Sequence, residues 1–486
     1  MDAVHSFVPP RPPVLPAAIA HLIGSNTAPD SLEERIARAY TAELESQAAF
    51  LQDVMAVCAR QHAVLLQSLE AHKPILSPIR HLPNELLAEI FTVVVRDAFN
   101  SIPSWGRLPH FEHPWVLSRV CRRWATVALG TPSLWSWIPL DLDAIGIKPG
   151  GLAMTKLLHE RSGNLPLSIH LSEAYRRSPI GTRRILDIVF AQCERWQTVK
   201  LYGGPESPLT HDISAVSGRL HALTTLDVFA EVDLELDTLV EINTFAIVPN
   251  LVAVRVCVED EDGVLRRPHL KFPWHQLTRL SIALACRADT LPLLPQLSNI
   301  VELRVEWRDT SFDLPQTTTI TLPHLQILEV IAQCASSPYP LSLLNFFNTP
   351  LLKHLSIDNE ADEPAVLSFI KRSGCKQSLK FCYFRLHSAK PECAFALLRG
   401  MPDLLDFKFG HLEKTTVPIP FTQALHAEWL AVRCKSGGPR LFVYLRNGGH
   451  PPVDPEVSLL MQRDGFFIKY SDYLESFDSL VNSKFK

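Results

Sequence analysis

One spacing dominates residues 196–409 and limits what they can fold into. An apolar residue stands at i, i+3 and i+5, and the triplet returns nine times: Trp196, Val199, Leu201; Leu223, Leu226, Val228; Leu251, Val254, Val256; Leu277, Leu280, Ile282; Ile300, Leu303, Val305; Leu325, Leu328, Val330; Leu352, Leu355, Ile357; Leu379, Cys382, Phe384; and Leu404, Phe407, Phe409. Successive first positions are 27, 28, 26, 23, 25, 27, 27 and 25 residues apart. Chance does not hold so narrow an interval over nine copies. The last two positions differ by two, so they point to one side of an extended segment. A short strand must therefore recur about every 26 residues, each copy too small to bury its apolar side alone and stacked on the next. Pro166, Ile169 and Leu171 read as a degenerate earlier copy.

Several segments between the triplets carry helical spacing. Thr182 to Cys193 offers Ile185, Ile188 and Val189; Glu363 to Arg372 offers Val366, Phe369 and Ile370 before Gly374; Pro391 to Arg399 offers Phe395, Leu397 and Leu398 before Gly400. Strand plus helix or turn at this period is the leucine-rich-repeat arrangement, here over 164–410. The copies lack a regular Asn after the strand, so the solenoid should be irregular. Thirty-eight prolines against twenty glycines suit its many turns. Residues 411–486 read as a C-terminal cap, helical over Phe421 to Val432 and extended over Arg440 to Leu445.

The N-terminal part follows other rules. Residues 1–29 include PPRPPVLP, which excludes a helix interior and reads as a disordered, extended tail. Residues 30–73 read as one helix, capped by Asp30 or Ser31 with Glu33 and Glu34 in its first turn, and ended by Pro74. Leu44, Ala48, Leu51, Met55, Cys58, His62, Leu65, Leu69 and His72 alternate spacings of four and three, a heptad seam. The seam either pairs two chains as a homodimer or packs on the next module.

That module, residues 75–140, begins with Pro83 at a helix start, followed by Leu86, Leu87, Ile90, Phe91 and Val94 at one-face spacing. After an irregular loop, Asn100 to His113, Pro114 opens a second helix with Val116, Val120, Trp124 and Val127 on one face, closed by Gly130 and Pro132. The order Leu82-Pro83-x-Glu85-Leu86-Leu87-x-x-Ile90-Phe91, then Leu117-Ser118-x-Val120-Cys121-Arg122-x-Trp124, then Pro132-Ser133-Leu134-Trp135 resembles an F-box. With the preceding heptad helix and the following repeats, the chain resembles a large family of F-box proteins from mushroom-forming fungi over about 45–410. The expected fold is an α/β solenoid: an N-terminal heptad helix and helical F-box, then irregular leucine-rich repeats.

The resemblance implies a role. F-boxes bind the Skp-type adaptor of cullin–RING ubiquitin ligases while the repeats capture a protein substrate. Leu82, Pro83, Glu85, Leu86, Ile90, Leu117, Val120, Cys121 and Trp124 match adaptor-contacting or F-box-core positions. The loop Ala98 to His113 is longer than in compact F-boxes. The alternative is a non-ligase leucine-rich-repeat scaffold or receptor.

Composition narrows the partners. A net charge of −4 over 486 residues gives no general pull toward nucleic acid or an anionic membrane. No run approaches the ~20 apolar residues that span a bilayer, and no secretory leader is expected. Ten cysteines without a CxxC pair fit reduced thiols in a cytoplasmic or nuclear protein. Phosphate-loop, HExxH and nucleophile-elbow motifs are all missing, so neither catalysis nor a cofactor is expected. His110 with His113, and Cys375 with Cys382, His387 and Cys393, are poor metal sets; Cys382 already fills a core slot of a repeat. On the concave side of the strands, Arg304, Phe381, Tyr383 and Arg385 are the expected substrate contacts, because arginine and aromatic side chains dominate binding energetics.

Overall fold

The computed structural model describes residues 9–102, 114–145, 150–173, 180–203, 213–232, 243–260, 271–284, 291–307, 319–332, 344–358, 363–386, 397, 399–401, 404–411, 427, 430, 440–446 and 466–471. The chain divides into two compact units, 1–87 and 88–486. Its architecture is an N-terminal helical region followed by a long parallel sheet with helices, an α/β solenoid-like arrangement.

In the first unit, helix α1 (Ser31–His72) runs for 42 residues. Its start is a capping box. The Asp30 carboxylate accepts the amides of Leu32 at 2.8 Å and Glu33 at 2.7 Å, and the Glu33 carboxylate accepts the Asp30 amide at 2.9 Å. No residue of α1 is buried. Residues 9–29 are tied to its first turns: the Tyr40 hydroxyl donates to the Pro13 carbonyl at 3.0 Å, and His21 lies 3.5 Å from Glu33. Two 3-10 turns, Lys73–Leu76 and Pro78–His81, lead to helix α2 (Asn84–Asn100), whose first backbone bond runs from the Leu87 amide to the Pro83 carbonyl.

In the second unit, the expected single helix from Pro114 is two. Helices α3 (Trp115–Val120) and α4 (Arg122–Leu129) are separated by Cys121, whose backbone is extended at φ −159°, ψ 170°. An extended residue cannot continue the helical ladder. The Cys121 sulfur instead caps α4, accepting the Trp124 amide at 3.5 Å. Then come β1 (Trp137–Asp141), α5 (Leu142–Ile145), α6 (Gly151–Arg161), β2 (Leu167–Glu173), α7 (Ile180–Ala191), β3 (Trp196–Gly203), β4 (Thr225–Val232), β5 (Ala253–Asp260), β6 (Arg279–Leu284) and β7 (Glu302–Trp307). They are followed by β8 (Ile320–Thr321), β9 (Ile327–Ala332), β10 (Phe347–Asn348), β11 (His354–Asp358), α8 (Glu363–Ser373), β12 (Phe381–Leu386), β13 (Asp406–His411), β14 (Arg440–Arg446) and β15 (Phe466–Ser471). Of the expected helix Pro391 to Arg399, most residues lie outside those described.

Among the described residues, thirteen strands form one sheet, joined strictly in sequence order; β8 and β10 pair separately. Every pairing is parallel and keeps the triplets in step. Leu226 opposes Val254, Leu280 opposes Leu303, Leu328 opposes Leu355, and Cys382 opposes Phe407. The i+3 and i+5 residues thus stack into two columns, and from β1 to β12 every member of both is buried. Each buried leucine or valine contributes about 1.5–3 kcal/mol relative to exposure. The sheet also runs beyond 164–410 at both ends. Ile138 and Leu140 of β1 continue the columns ahead of Ile169 and Leu171, and β14 and β15 follow β13 in register.

A second regularity lies just before the strands. Here one carbonyl accepts two amides from the next repeat: Val252 O takes Thr278 N at 2.9 Å and Arg279 N at 3.0 Å, and the pattern recurs at Thr278, Val301, Gln326 and Lys353. At i−1, Asn250 donates its amide to His221 O at 2.7 Å and Asn299 donates to His275 O at 2.8 Å. These asparagines stand before the strand, not after it, and close the turn of the previous repeat. Gly374 leaves α8 at φ +64°, a left-handed conformation that glycine adopts without strain.

Candidate docking surfaces

Helix α2 sorts its apolar residues onto two faces. Leu87, Phe91, Val95 and Phe99, four apart, are buried. Ile90, Val93 and Val94 remain 43%, 41% and 41% exposed, and Leu86, one turn before Ile90, is exposed as well. The spacing read as one face is thus an inward stripe and an outward one, offset by a residue. The inward stripe is anchored at several points. The Phe91 and Trp124 rings lie 4.7 Å apart, and the Thr92 and Ser133 hydroxyls 3.2 Å apart. Trp135, fully buried, donates its indole N–H to Ala128 O at 2.9 Å and meets Trp115 edge-on at 4.8 Å. The Arg161 guanidinium lies over both indoles, 4.8 Å from Trp115 and 4.4 Å from Trp135.

The far end of α2 reaches the strands. Phe99 and the following Ile102 pack with Trp137 of β1, and the Phe99 ring lies 6.5 Å from the imidazole of His170 on β2. From β3, Lys200 donates to the carbonyls of Ile102 at 3.1 Å and Phe99 at 3.4 Å, its ammonium 5.3 Å from the Phe99 ring. A lysine at a helix C-terminus satisfies carbonyls that have no partner in the helix and complements the helix dipole. Burial lowers the Lys200 pKa; Asp227 opposes the shift and Arg255 adds to it. His170 is held neutral, its pKa lowered to about 3 by burial and then by Lys200. Neither His170 ring nitrogen has a hydrogen-bond partner among the described residues.

The expected adaptor residues therefore divide. Pro83, Glu85, Leu86, Ile90, Val120 and Cys121 are exposed, Leu82 and Trp124 half-buried, and Leu117 buried. Leu117 faces inward on α3, while Val116 and Val120, which share the adjoining face, are exposed. Trp105, His110 and His113 lie outside the described residues.

On the second face of the strands, Arg304, Glu329, Ser356 and Tyr383 form one row across β7, β9, β11 and β12. Arg304 Nε is 4.0 Å from the buried Glu329 carboxylate. Phe381 is half-buried and stacks on His354 with ring centroids 6.1 Å apart. Tyr383 is buried, a wall of the face rather than an exposed contact. Arg385 stands opposite Asp358 in register, and its side chain lies outside the described set. At the other end, Ser168, His170 and Ser172 are buried on this same face, so it is not uniformly open.

Among the described residues no group of three or more His, Cys, Asp or Glu side chains could hold a metal ion. Cys375 and Cys382 are buried; burial raises the Cys375 thiol to about 11 and raises Cys382 as well. His387 and Cys393 lie outside the described residues. No helix among the described residues is long and apolar enough to cross a membrane. No family model matches the chain, and no curated protein matches it.

Proposed function

We propose that the chain is the substrate-recognition subunit of a cullin–RING ubiquitin ligase, with an F-box docking a Skp-type adaptor and leucine-rich repeats holding a protein substrate. The observation that carries this reading is the outward stripe of α2. Ile90, Val93 and Val94 stay exposed on a helix whose other stripe is locked into the core. Contiguous exposed apolar side chains on one helix face are a mark of interaction sites. The break at Cys121, which gives two short helices after α2 and so three helices from the Leu-Pro motif to the trailing tryptophan, supports the same reading. No catalysis is assigned to the chain. Its contribution is proximity: a substrate on the repeats is held at high effective concentration near a separate conjugating enzyme. For the substrate surface, the face that carries Arg304 on β7 and Phe381 and Arg385 on β12 remains the candidate, with Tyr383 as a buried wall of it.

The test is a binding measurement with purified Skp-type adaptor. Ile90→Asp with Val94→Asp should cost about 2–4 kcal/mol of affinity, the range of interface hot spots. Both side chains are already exposed, so the fold should survive. Unchanged affinity in the folded variant removes the F-box assignment. A stable partner that excludes adaptor and cullin would favour the scaffold reading.

A further inference from the structure

We propose that α1 pairs along its heptad seam with the same seam of a second copy of this chain. The reading is independent of what α2 binds. It begins from exposure. Across 42 residues nothing in α1 is buried, and the seam residues Met55 and Leu65 are 71% and 59% exposed. A helix this long holds together through packing rather than propensity, and a lone solvated helix carries charge around its circumference. This one does not. Of the positions flanking the seam between 44 and 73, only Glu45 and Lys73 are charged. No row of like charges opposes pairing, and the apolar seam has no solvated alternative.

The occupant follows from length and period. The seam runs from Leu44 to His72, about 43 Å at 1.5 Å per residue. Among the described residues the next longest helix, α2, has 17 residues and cannot run that length. A second α1 matches it in both length and 3.5-residue repeat, and heptad knobs fit the holes of a like helix. A contact strip of that length and a helix's width of ~10–12 Å covers on the order of 500 Å² on each partner, about the 1,000 Å² total that a specific interface requires. Leu44, Leu51 and Leu65 recur at one core position, with Cys58 completing the run between them. His62, at the other core position, is the polar interruption that lowers affinity in such seams.

Sedimentation equilibrium of the full chain tests this. The wild type should reach twice its 54.5 kDa mass as concentration rises through the micromolar range. Met55→Glu with Leu65→Glu should weaken self-association by about a hundredfold or more, because two charges on each chain would enter a desolvated seam. The thermal unfolding of the repeats should not change, since both sites are exposed in the single chain. His62→Leu should tighten the dimer about tenfold. A wild type that stays monomeric at about 50 µM, a dimer that persists in the double-glutamate chain, or a His62→Leu chain no tighter than wild type would overturn the proposal.

Discussion

Helix α1 and the parallel sheet carry the same kind of signal and meet opposite fates. Both are built on an apolar period sustained over many residues. In the sheet, every column member from β1 to β12 is buried, because each repeat supplies the surface that covers the next. In α1 no residue is buried at all. A period tells which side chains share a face, not whether the chain contains anything to close that face. Closure needs a matching neighbour. The repeats provide one every 26 residues or so, whereas α1 has no counterpart among the described helices.

The largest expected effect contrasts the two regions directly. Leu328 is fully buried between Leu303 and Leu355, and Leu328→Ala should lower the unfolding free energy of the repeats by about 2–5 kcal/mol. Leu65→Ala in α1 should move the same urea transition by no more than about 0.5 kcal/mol. Equal shifts would mean that α1 folds as part of the same core.

Acid should expose the sheet's weak end. Above about pH 6.5 His170 is neutral both folded and unfolded, so it adds no pH dependence. Between 6.5 and about 3 the unfolded chain binds a proton that the folded one refuses. Stability is therefore complete above the unfolded value and is lost as pH falls through this window, by on the order of 2 kcal/mol at pH 4.5. His159, held near 4 by burial and then by Arg195, adds to the same loss. His170→Phe should flatten the slope of stability against pH between 6.5 and 4.5. An unaltered slope would place the acid-sensitive groups elsewhere. Within the repeats the smallest effect belongs to the turns: Asn299→Ala, which removes the bond to His275 O, should cost about 1 kcal/mol in the same urea assay.

The strands, their period and their in-register columns were legible because burial on one side imposes a strict alternation that polar residues cannot satisfy. The ends were not. Trp137–Asp141 reads as the tail of the helical module because Trp135, Ile138 and Leu140, although they carry the triplet spacing, directly follow the Gly-Thr-Pro turn that closes that module. The two-faced sorting of α2 was hidden too. Leu86 and Leu87, or Ile90 and Phe91, are adjacent in sequence, and only the position of the core decides which of each pair turns inward. Lys200 and His170 gave no signal: they stand on the polar side of their strands, and nothing in their own repeats announces that Phe99 and Ile102 of a distant segment meet them there. The break at Cys121 was masked by Val116, Val120 and Trp124, whose spacing suits an unbroken helix.

A sheet whose strands join strictly in sequence order has a mechanical consequence. Among the described residues each strand pairs only with the ones just before and just after it, so beyond β3, which Lys200 ties to the end of α2, no strand pairing clasps distant repeats together against a pull on the ends. Tension should peel the sheet one repeat at a time from an edge. Each event would release about 26 residues, or on the order of 90 Å of extended chain. The domain would yield as a zip does, in even steps at modest force, which is the manner in which an unfolding motor drawing on one end would find it.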